Sequence, residues 1–272
     1  MRLRLATVNA ASGRDLRDGK LSSDRMAAAV AGLGADVVAV QEVDHLLPRS
    51  GGTDQAALVA AACAAGGPAW QHRFAAAVHG TPGSRDTFRT AERTLATEPS
   101  YGIALATRFP VLQWHELRMA PARAQLPVVL PAGAPQRVLW VPDEQRVALA
   151  AVVQTPAGAL TVISTHLSFS PARAVVQLRQ LKAWSQSLPR PLVLMGDLNL
   201  PGPLAPRTSG WTSLVRAKTF PSPAPRVQLD HVLADALHWQ VTDARSERVG
   251  GSDHRALVVD LALPLVGEAV TG

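Results

Sequence analysis

The chain has 272 residues, of which 47% are hydrophobic and 18% are charged, and its formal net charge is +6. This balance excludes an intrinsically disordered chain, because the apolar content is sufficient for a substantial core. The positive charge favours an anionic partner, and nucleic acid is one candidate. A composition rich in alanine, arginine and proline is also typical of GC-rich coding sequences, so charge alone does not identify that partner.

Cysteine content and hydropathy restrict the setting of the protein. Cys63 is the single cysteine, which excludes an intrachain disulfide, and its alanine-rich surroundings predict a small buried residue. The sequence contains no run of about 18 apolar residues and no basic stretch followed by an apolar core near its start. We therefore expect a cytoplasmic protein with no transmembrane segment, and no protein partner is evident.

Eight short runs rich in Val, Ile and Leu are predicted to form strands, because turn-forming residues bound each of them. They are residues 3–9, 36–41, 101–107, 147–154, 159–165, 191–196, 229–234 and 255–261. Helices are predicted at residues 22–33, 54–66 and 171–188. The third helix has the clearest periodicity, and we expect its apolar stripe to pack against a sheet.

Residues 79–99, 120–144 and 200–227 are predicted to be long loops, and loops of this length often carry function. The composition does not divide the chain, and candidate site residues come from both ends, which favours a single domain over residues 1–272. Strands that alternate with helices or are joined by short turns predict an α/β (α+β) fold with mixed sheets covered by helices. Two such halves would pack sheet on sheet, with strand ends meeting at one rim.

Polar side chains end several predicted strands, and three of them are candidate metal ligands. Glu42 ends an apolar run, where a carboxylate is either exposed at the rim or costly to bury. Together with Asp253 and Asn9 it offers the oxygen ligands that Mg²⁺ prefers, and Mn²⁺ is an alternative. The competing interpretation of Glu42 is a cap on the following loop.

Asp197 and Asn199 follow the predicted strand 191–196 in the segment Gly-Asp-Leu-Asn. Residues two apart on an extended segment point to the same side, so both side chains should face one site. Asp197 is a candidate for orienting and deprotonating water, and Asn199 for donating to a phosphoryl oxygen. An Asx-turn that ends the strand is the alternative.

Two histidines follow the same strand-end pattern. His254 with Asp230 suggests a pair in which the carboxylate sets the tautomer of the imidazole and favours its charged form. His166 is a candidate for stabilising charge on a phosphate or protonating a leaving oxygen, and a structural role is its alternative. By strand alternation His231 should face away from Asp230, which indicates a structural residue.

Arg146 and Tyr101 are candidate substrate-binding residues. Arg146 precedes a predicted strand and is positioned to reach a phosphate or the site carboxylates, although an ordinary surface arginine fits equally well. Tyr101 begins another strand and either packs at the rim of the site or belongs to the core.

Taken together, these motifs resemble the endonuclease/exonuclease/phosphatase family, which has the DNase I-like fold, over nearly the whole chain. The motifs occur in the family's order: Asn9, Gln41-Glu42, Tyr101 to Arg108, Thr165-His166-Leu167, Gly196 to Asn199, Leu229 to Val232, and Ser252-Asp253-His254. The resemblance implies a four-layer sandwich of two mixed sheets with helices outside. It also implies cleavage of a phosphoester with a divalent metal, usually Mg²⁺.

By position, the resemblance implies that Glu42 is the principal metal ligand, with Asn9 and Asp253 nearby. Two positions depart from the patterns of relatives: many relatives carry asparagine in place of Ile103, and abasic-site endonucleases typically carry tyrosine in place of His166. The first departure predicts that a polar contact is missing at Ile103, and the second argues against an abasic-site repair enzyme.

The leading functional hypothesis is a Mg²⁺-dependent phosphodiesterase acting on nucleic acid or another anionic phosphodiester. The alternatives are a phosphomonoesterase of a small phosphorylated metabolite or inositol phosphate, an inactive binding module on the same scaffold, and a nucleic-acid-binding protein. We expect arginines in the long loops to steer the substrate, namely Arg85, Arg89, Arg93, Arg207 and Arg226.

Overall fold

A computed structural model of the chain describes residues 2–82, 88–122, 126–129, 138–141 and 143–263. Its helices are α1 (Ser23–Ala31), α2 (Gln55–Cys63), α3 (Pro171–Ser185) and α4 (Leu204–Ser209), with short 3₁₀ turns at Ala11–Gly13 and Pro48–Ser50. Its strands are β1 (Arg2–Asn9), β2 (Val37–His45), β3 (Gln71–His79), β4 (Arg89–Thr90), β5 (Ser100–Thr107), β6 (Val111–Met119), β7 (Leu126–Val129), β8 (Val138–Val141), β9 (Arg146–Thr155), β10 (Gly158–His166), β11 (Leu192–Asp197), β12 (Thr212–Ser213), β13 (Asp230–Asp235), β14 (Gln240–Arg248) and β15 (Arg255–Ala262).

The strands form two large mixed sheets. The first has the order β14-β15-β1-β2-β5-β3-β4, and the second has the order β12-β13-β11-β10-β9-β6. Each sheet contains one parallel pair, β1 with β2 and β10 with β11, and its remaining pairs are antiparallel. β7 and β8 pair separately as an antiparallel hairpin.

The two sheets pack face to face, and helices cover their outer faces. Leu5 and Val37 of the first sheet share one core with Leu149 and Val162 of the second. On the outer face of the first sheet, residues of β1 and β2 pack against α1 and α2, and on that of the second sheet α3 and α4 supply the cover. This is the expected four-layer sandwich. Strands buried on both faces read as continuous apolar runs, which is why the sequence reveals them.

The eight predicted strands and three predicted helices are present, with ends shifted by a few residues. The largest difference is in β2, which was predicted to end at residue 41 and continues to His45. The segments predicted as loops contain additional elements: β4 lies in 79–99, β7 and β8 lie in 120–144, and α4 and β12 lie in 200–227. The prediction of unstructured loops at those places was therefore wrong in part.

Three longer strands were not predicted because their sequences lack a continuous apolar run. β6 and β14 are edge strands, and most of their residues are exposed or half-buried. Edge strands of this kind are commonly polar, which limits pairing with other chains. β3 contains Ala75, Ala76 and Ala77, and alanine is a strong helix former, so propensity opposes the observed strand.

Two smaller expectations are also answered by the structure. Cys63 at the end of α2 is half-buried rather than buried, and burial raises the pKa of its thiol to about 11. Among the residues that the structure describes, no helix is both long and apolar enough to cross a bilayer.

Gly102 in β5 provides a test of sheet packing. A Cβ at this position would lie 2.0 Å from the carbonyl oxygen of Ala75 in the neighbouring strand, whereas at Gly67 the nearest atom would be 3.6 Å away. We expect Gly102→Ala to lower the free energy of unfolding by about 3 kcal/mol, at the upper end of overpacking effects. Urea unfolding would measure it, with Gly67→Ala as the control. Equal stabilities of the two variants would contradict the proposed packing.

Candidate active site

The polar strand ends meet at one rim of the sandwich. Asn9 ends β1 of the first sheet, while His166 and Asp197 end β10 and β11 of the second and pair with each other in register. Asp230 begins β13 opposite Asp197, because that pair is antiparallel. The hydrogen bond from Asn9 Nδ2 to Asp197 Oδ2 (3.1 Å) joins the two sheets at this rim.

Asp197 is the point at which the polar side chains converge. Its Oδ2 atom accepts the hydrogen bond from Asn9 and lies 3.6 Å from His166 Nε2 and 3.7 Å from His254 Nε2. Only 1% of Asp197 is exposed, so its charge is compensated by these neighbours rather than by bulk water. The arrangement places one carboxylate oxygen between two imidazoles.

His254 and Asp230 form the pair expected from the sequence. His254 Nδ1 lies 2.8 Å from Asp230 Oδ2, and both residues are buried. The backbone N–H of His254 donates to Ser252 Oγ, which donates in turn to the carbonyl oxygen of Asn9. Phe220 packs beside the imidazole, with the two ring centres 5.0 Å apart. These contacts leave Nε2 of His254 directed toward Asp197.

The buried charges shift the pKa values of both partners. Burial disfavours the charged imidazole, but the carboxylates of Asp230 and Asp197 outweigh it and raise the pKa of His254 to about 10. Burial and the nearby Asp230 carboxylate raise the pKa of Asp197 above its usual range. The site therefore holds a protonated imidazole against a carboxylate with increased basicity.

His166 has the opposite electrostatic setting. Burial, together with the positive charges of Arg146 and His254, lowers the pKa of His166 well below its ordinary value. Asn199 Nδ2 lies 3.4 Å from His166 Nε2 and donates to the carbonyl oxygen of Leu167. Asn199 also donates its backbone N–H to Asp197 Oδ1, so the Asx-turn and the convergence of both side chains on one site occur together.

Glu42 reaches the rim because β2 is irregular at this residue. The pairing of β2 with β5 shifts register between Gln41 and Val43, and Glu42 itself has φ of 54°. A β-bulge of this kind redirects a side chain that regular alternation would place elsewhere. Asn9 Nδ2 donates to Glu42 Oε1 at 2.9 Å, so one amide group contacts both Glu42 and Asp197.

Glu42 and Asp253 line a common cavity of about 260 Å³. Burial is the largest influence and raises the pKa of Glu42; the hydrogen bond from Asn9 opposes it, and the negative charge of Asp253 raises it further. Two half-buried carboxylates with incomplete compensation, next to an amide oxygen, are the donor set of a hard divalent cation. The residues present therefore fit such an ion. Asp197, Asp230 and His254 form a second group whose ligand atoms lie within 4.8 Å of one another.

Backbone strain concentrates around this rim. A Cβ on Gly196 would lie 1.9 Å from the carbonyl oxygen of Thr165, so only glycine allows β10 and β11 to approach beside Asp197. The backbone φ angles of Ala11, Ser12 and Asn199 are 47°, 55° and 51°, which lie in the left-handed region that residues other than glycine adopt uncommonly. Strain of this type is common at functional sites.

Arg146 and Tyr101 lie close to the carboxylates but are largely enclosed. Arg146 is 6% exposed, its Nη2 lies 3.6 Å from Glu144 Oε2, and its Nε has no hydrogen-bond partner among the described residues. Tyr101 packs beside Leu47 and also borders the cavity of Glu42. The two predicted roles of Tyr101, at the rim and in the core, are thus both compatible with its position.

Several residues at the site were not identified from the sequence. Thr219 Oγ1 accepts the backbone N–H groups of Leu229 and Asp230, and Phe220 contacts His254. Both lie in the segment 200–227, whose sequence lacks a recognisable motif. His231 was predicted to be structural. Its Nε2 atom lies 2.7 Å from the carbonyl oxygen of Leu200 rather than contacting the residues around Asp197.

Two packed mixed sheets with a carboxylate- and imidazole-lined rim are typical of metal-dependent phosphoesterases with a DNase I-like fold. The sequence profile of the endonuclease/exonuclease/phosphatase family matches residues 6–254. The chain therefore belongs to the endonuclease/exonuclease/phosphatase family, whose members are phosphoester hydrolases that generally depend on divalent metals.

Solved structures show the same fold at low sequence identity. An endonuclease/exonuclease/phosphatase from Beutenbergia cavernae superposes with a TM-score of 0.66 at 21% identity, covering 96% of this chain and 72% of that one. Sphingomyelinase C from Streptomyces griseocarneus has a TM-score of 0.61 at 15% identity, and the match covers 96% of this chain and 100% of that one. A mannosyl-6-phosphatase from Bacteroides thetaiotaomicron has a TM-score of 0.56 at 14% identity, and the match covers 96% of this chain and 99% of that one. No match was found among curated proteins.

The His254–Asp230 pair predicts a specific titration. The pKa of His254 is raised, so the pair's contribution to stability is complete below the ordinary value of 6.5 and is lost as pH rises through about 10. In metal-free protein, NMR should show His254 protonated at pH 8, with assignment by His254→Gln. Asp230→Asn should move the titration toward the ordinary histidine range. A neutral His254 at pH 8 in the wild type would contradict this electrostatic account.

Proposed function

We propose that this chain is a Mg²⁺-dependent phosphodiesterase and that residues 1–272 act as one catalytic domain. The observation that supports this proposal best is the convergence of Asn9, His166 and His254 on Asp197 Oδ2, with Glu42 held beside them. Residues from both ends of the sequence are required to build this arrangement, which supports a single domain.

Glu42, Asn9 and Asp253 would hold the metal. Their donors are oxygens, which suits Mg²⁺ and also Mn²⁺, whereas the second group of possible ligands includes His254, whose Nδ1 is already bonded to Asp230. When bound, the ion supplies positive charge that offsets the negative charge of the phosphate. The remaining steps can be derived from the protein's own side chains.

Asp197 is proposed to be the general base. Its Oδ2 faces the rim, and its raised pKa brings its basicity closer to neutral pH, which favours proton transfer from water. The oxygen of that water would attack phosphorus in line, its proton would pass to Asp197, and the bond from phosphorus to the leaving oxygen would break. No covalent bond between enzyme and substrate is needed.

Three other groups would stabilise the developing negative charge. Protonated His254 presents Nε2–H toward the rim, where it can donate to a phosphoryl oxygen, and Asp230 keeps that ring charged and oriented. Asn199 offers an amide N–H beside His166. His166 is neutral in the free protein, so it would donate one hydrogen bond to a non-bridging oxygen of the phosphate. Hydrogen-bond donors that are already oriented in a buried site lower the activation free energy, because they do not have to reorient as charge develops.

Arg146 and Tyr101 are proposed to contact the substrate. The guanidinium of Arg146 is near enough to Glu42 and His166 to change their pKa values, so its positive charge would also act on a phosphate bound beside them. Tyr101 would border the part of the substrate that enters the cavity beside Glu42. The natural substrate would be an anionic phosphoester, with nucleic acid as one candidate.

Asp197→Asn tests the general base. The variant keeps the shape of the side chain but cannot accept the proton, so kcat for bis-p-nitrophenyl phosphate should fall by roughly 10²–10⁴-fold. Turnover would be measured with Mg²⁺, with Mn²⁺ and with EDTA, and Asp24→Asn on the exposed start of α1 serves as the matched control. Retention of metal-dependent turnover by Asp197→Asn would refute this role.

The same assay with p-nitrophenyl phosphate separates the alternatives. Preference for this monoester would indicate a phosphomonoesterase acting on a small phosphorylated metabolite or inositol phosphate. Failure of folded wild-type protein to cleave either ester, together with anion binding, would favour an inactive binding module.

The exposed arginines outside the rim are proposed to steer the substrate. Arg93, Arg207 and Arg226 are exposed, whereas Arg89 pairs with Glu98, and Arg85 lies outside the described residues. Replacing Arg207 and Arg226 by glutamine should raise KM more than it lowers kcat, with an effect that weakens as salt is added. A larger loss in kcat would place these side chains in the chemistry instead.

A further inference from the structure

The cavity beside Glu42 and Asp253 has a wall of positive charge that the catalytic proposal does not use. Arg14 and Arg49 line this cavity together with Leu16. Its volume of about 260 Å³ is well above the roughly 30 Å³ that one water occupies in the liquid. The space can therefore receive part of a substrate that extends beyond the reacting phosphate.

Arg49 is held rigidly at this wall. Its Nε and Nη2 atoms bond both oxygens of the buried Asp44 at 2.8 and 2.6 Å, and Nη2 also donates to Ser12 Oγ at 3.0 Å. The guanidinium lies over the ring of Tyr101, 5.5 Å from its centre. Nη1 has no hydrogen bond to any described residue. An arginine fixed in this way loses little conformational entropy when an anion binds its remaining edge.

Arg14 adds a cation that no carboxylate in the described part of the chain neutralises through an ion pair. Ala11, Ser12 and Gly13 form a left-handed turn just before Arg14, and Ala11 and Ser12 line the cavity together with Arg14. Further on, the backbone N–H of Leu16 donates to the carbonyl oxygen of Gly251 at 2.9 Å, two residues before Asp253. The loop is thus attached to the segment that supplies a proposed metal ligand, and Arg14 stays at the cavity.

Apart from Ser12 and the carboxylates of Glu42 and Asp253, the remaining walls are apolar. Leu16 is 51% exposed, although it is a large aliphatic residue, and it lines the cavity together with Pro82 and Tyr101. A site with two guanidinium groups and apolar sides suits an anionic group carried on a carbon framework rather than a free, fully hydrated ion.

The position of the cavity indicates which part of the substrate enters it. Asp197 would activate water on the side of His166 and His254, and in-line displacement places the leaving group on the opposite side of phosphorus. Both Glu42 and Asp253 border the cavity, and in the proposed arrangement they would lie on that opposite side. We propose, on the basis of the function proposed above, that Arg14 and Arg49 form a subsite for a second anionic group on the leaving portion of the substrate.

The subsite is tested by binding rather than by turnover. Isothermal titration calorimetry in Mg²⁺ would compare 4-carboxyphenylphosphonate with 4-carbamoylphenylphosphonate, which has nearly the same shape but lacks the second charge. Wild-type protein should bind the carboxylate about 10-fold more tightly or better, the effect of a charge-assisted hydrogen bond. Arg14→Ala should abolish that preference, and because Arg14 is exposed we expect the variant to keep the fold.

Two further variants complete the experiment. Lys20→Ala removes an exposed charge from the same loop at a position that does not line the cavity, and it should leave the preference unchanged. Arg49→Lys keeps a positive charge near Asp44 but loses the planar guanidinium that bonds Asp44 through two nitrogens. It should therefore weaken the preference for the carboxylate.

The subsite would be overturned if wild type bound both phosphonates equally or bound neither of them. It would also be overturned if Arg14→Ala kept the preference for the carboxylate. A preference that depends on Arg14 in a protein without turnover would uphold the subsite and refute only the catalytic proposal.

Discussion

The structure depends on placing the carboxylate of Asp197 at the seam between two sheets, where the residue is almost fully buried. A buried carboxylate must be compensated, and Asn9, His166 and His254 provide the compensation from separate strands and loops. Asn9 belongs to the first sheet and Asp197 to the second, so the same hydrogen bond that compensates the charge also joins the sheets. Asp230 extends the arrangement by keeping His254 charged.

The sandwich around this carboxylate is regular, and the irregularities occur where side chains must be redirected. Glu42 lies on a bulge, Asn199 has a left-handed conformation, and Gly196 permits a close approach of two strands. Each of these features costs conformational energy, which the cores on both faces of the sheets offset. The rigid scaffold thus holds a strained rim, and the left-handed turn at Ala11 and Ser12 adds a basic wall to it.

How far the sequence predicted the fold depended on burial. Strands with both faces covered, such as β1 and β11, are continuous apolar runs and were found. The edge strands β6 and β14 have mixed polarity, and β3 is rich in alanine, so neither periodicity nor propensity revealed them. These strands are determined by pairing with neighbours that are distant in sequence, and a local pattern does not contain that information.

For the site, the sequence by itself determined the family resemblance, the positions of the polar strand ends and the pairing expected between His254 and Asp230. The residues at strand ends form short sequence motifs, and such motifs can be recognised without knowing the distances between residues in the folded protein. Only the tertiary structure decided that Asp197 Oδ2 is the point of convergence, that Thr219 and Phe220 belong to the site, and which histidine is charged. The physical reason is that pKa values and hydrogen bonds depend on burial and on distances between residues far apart in the chain, such as Asn9 and Ser252, which are 243 positions apart.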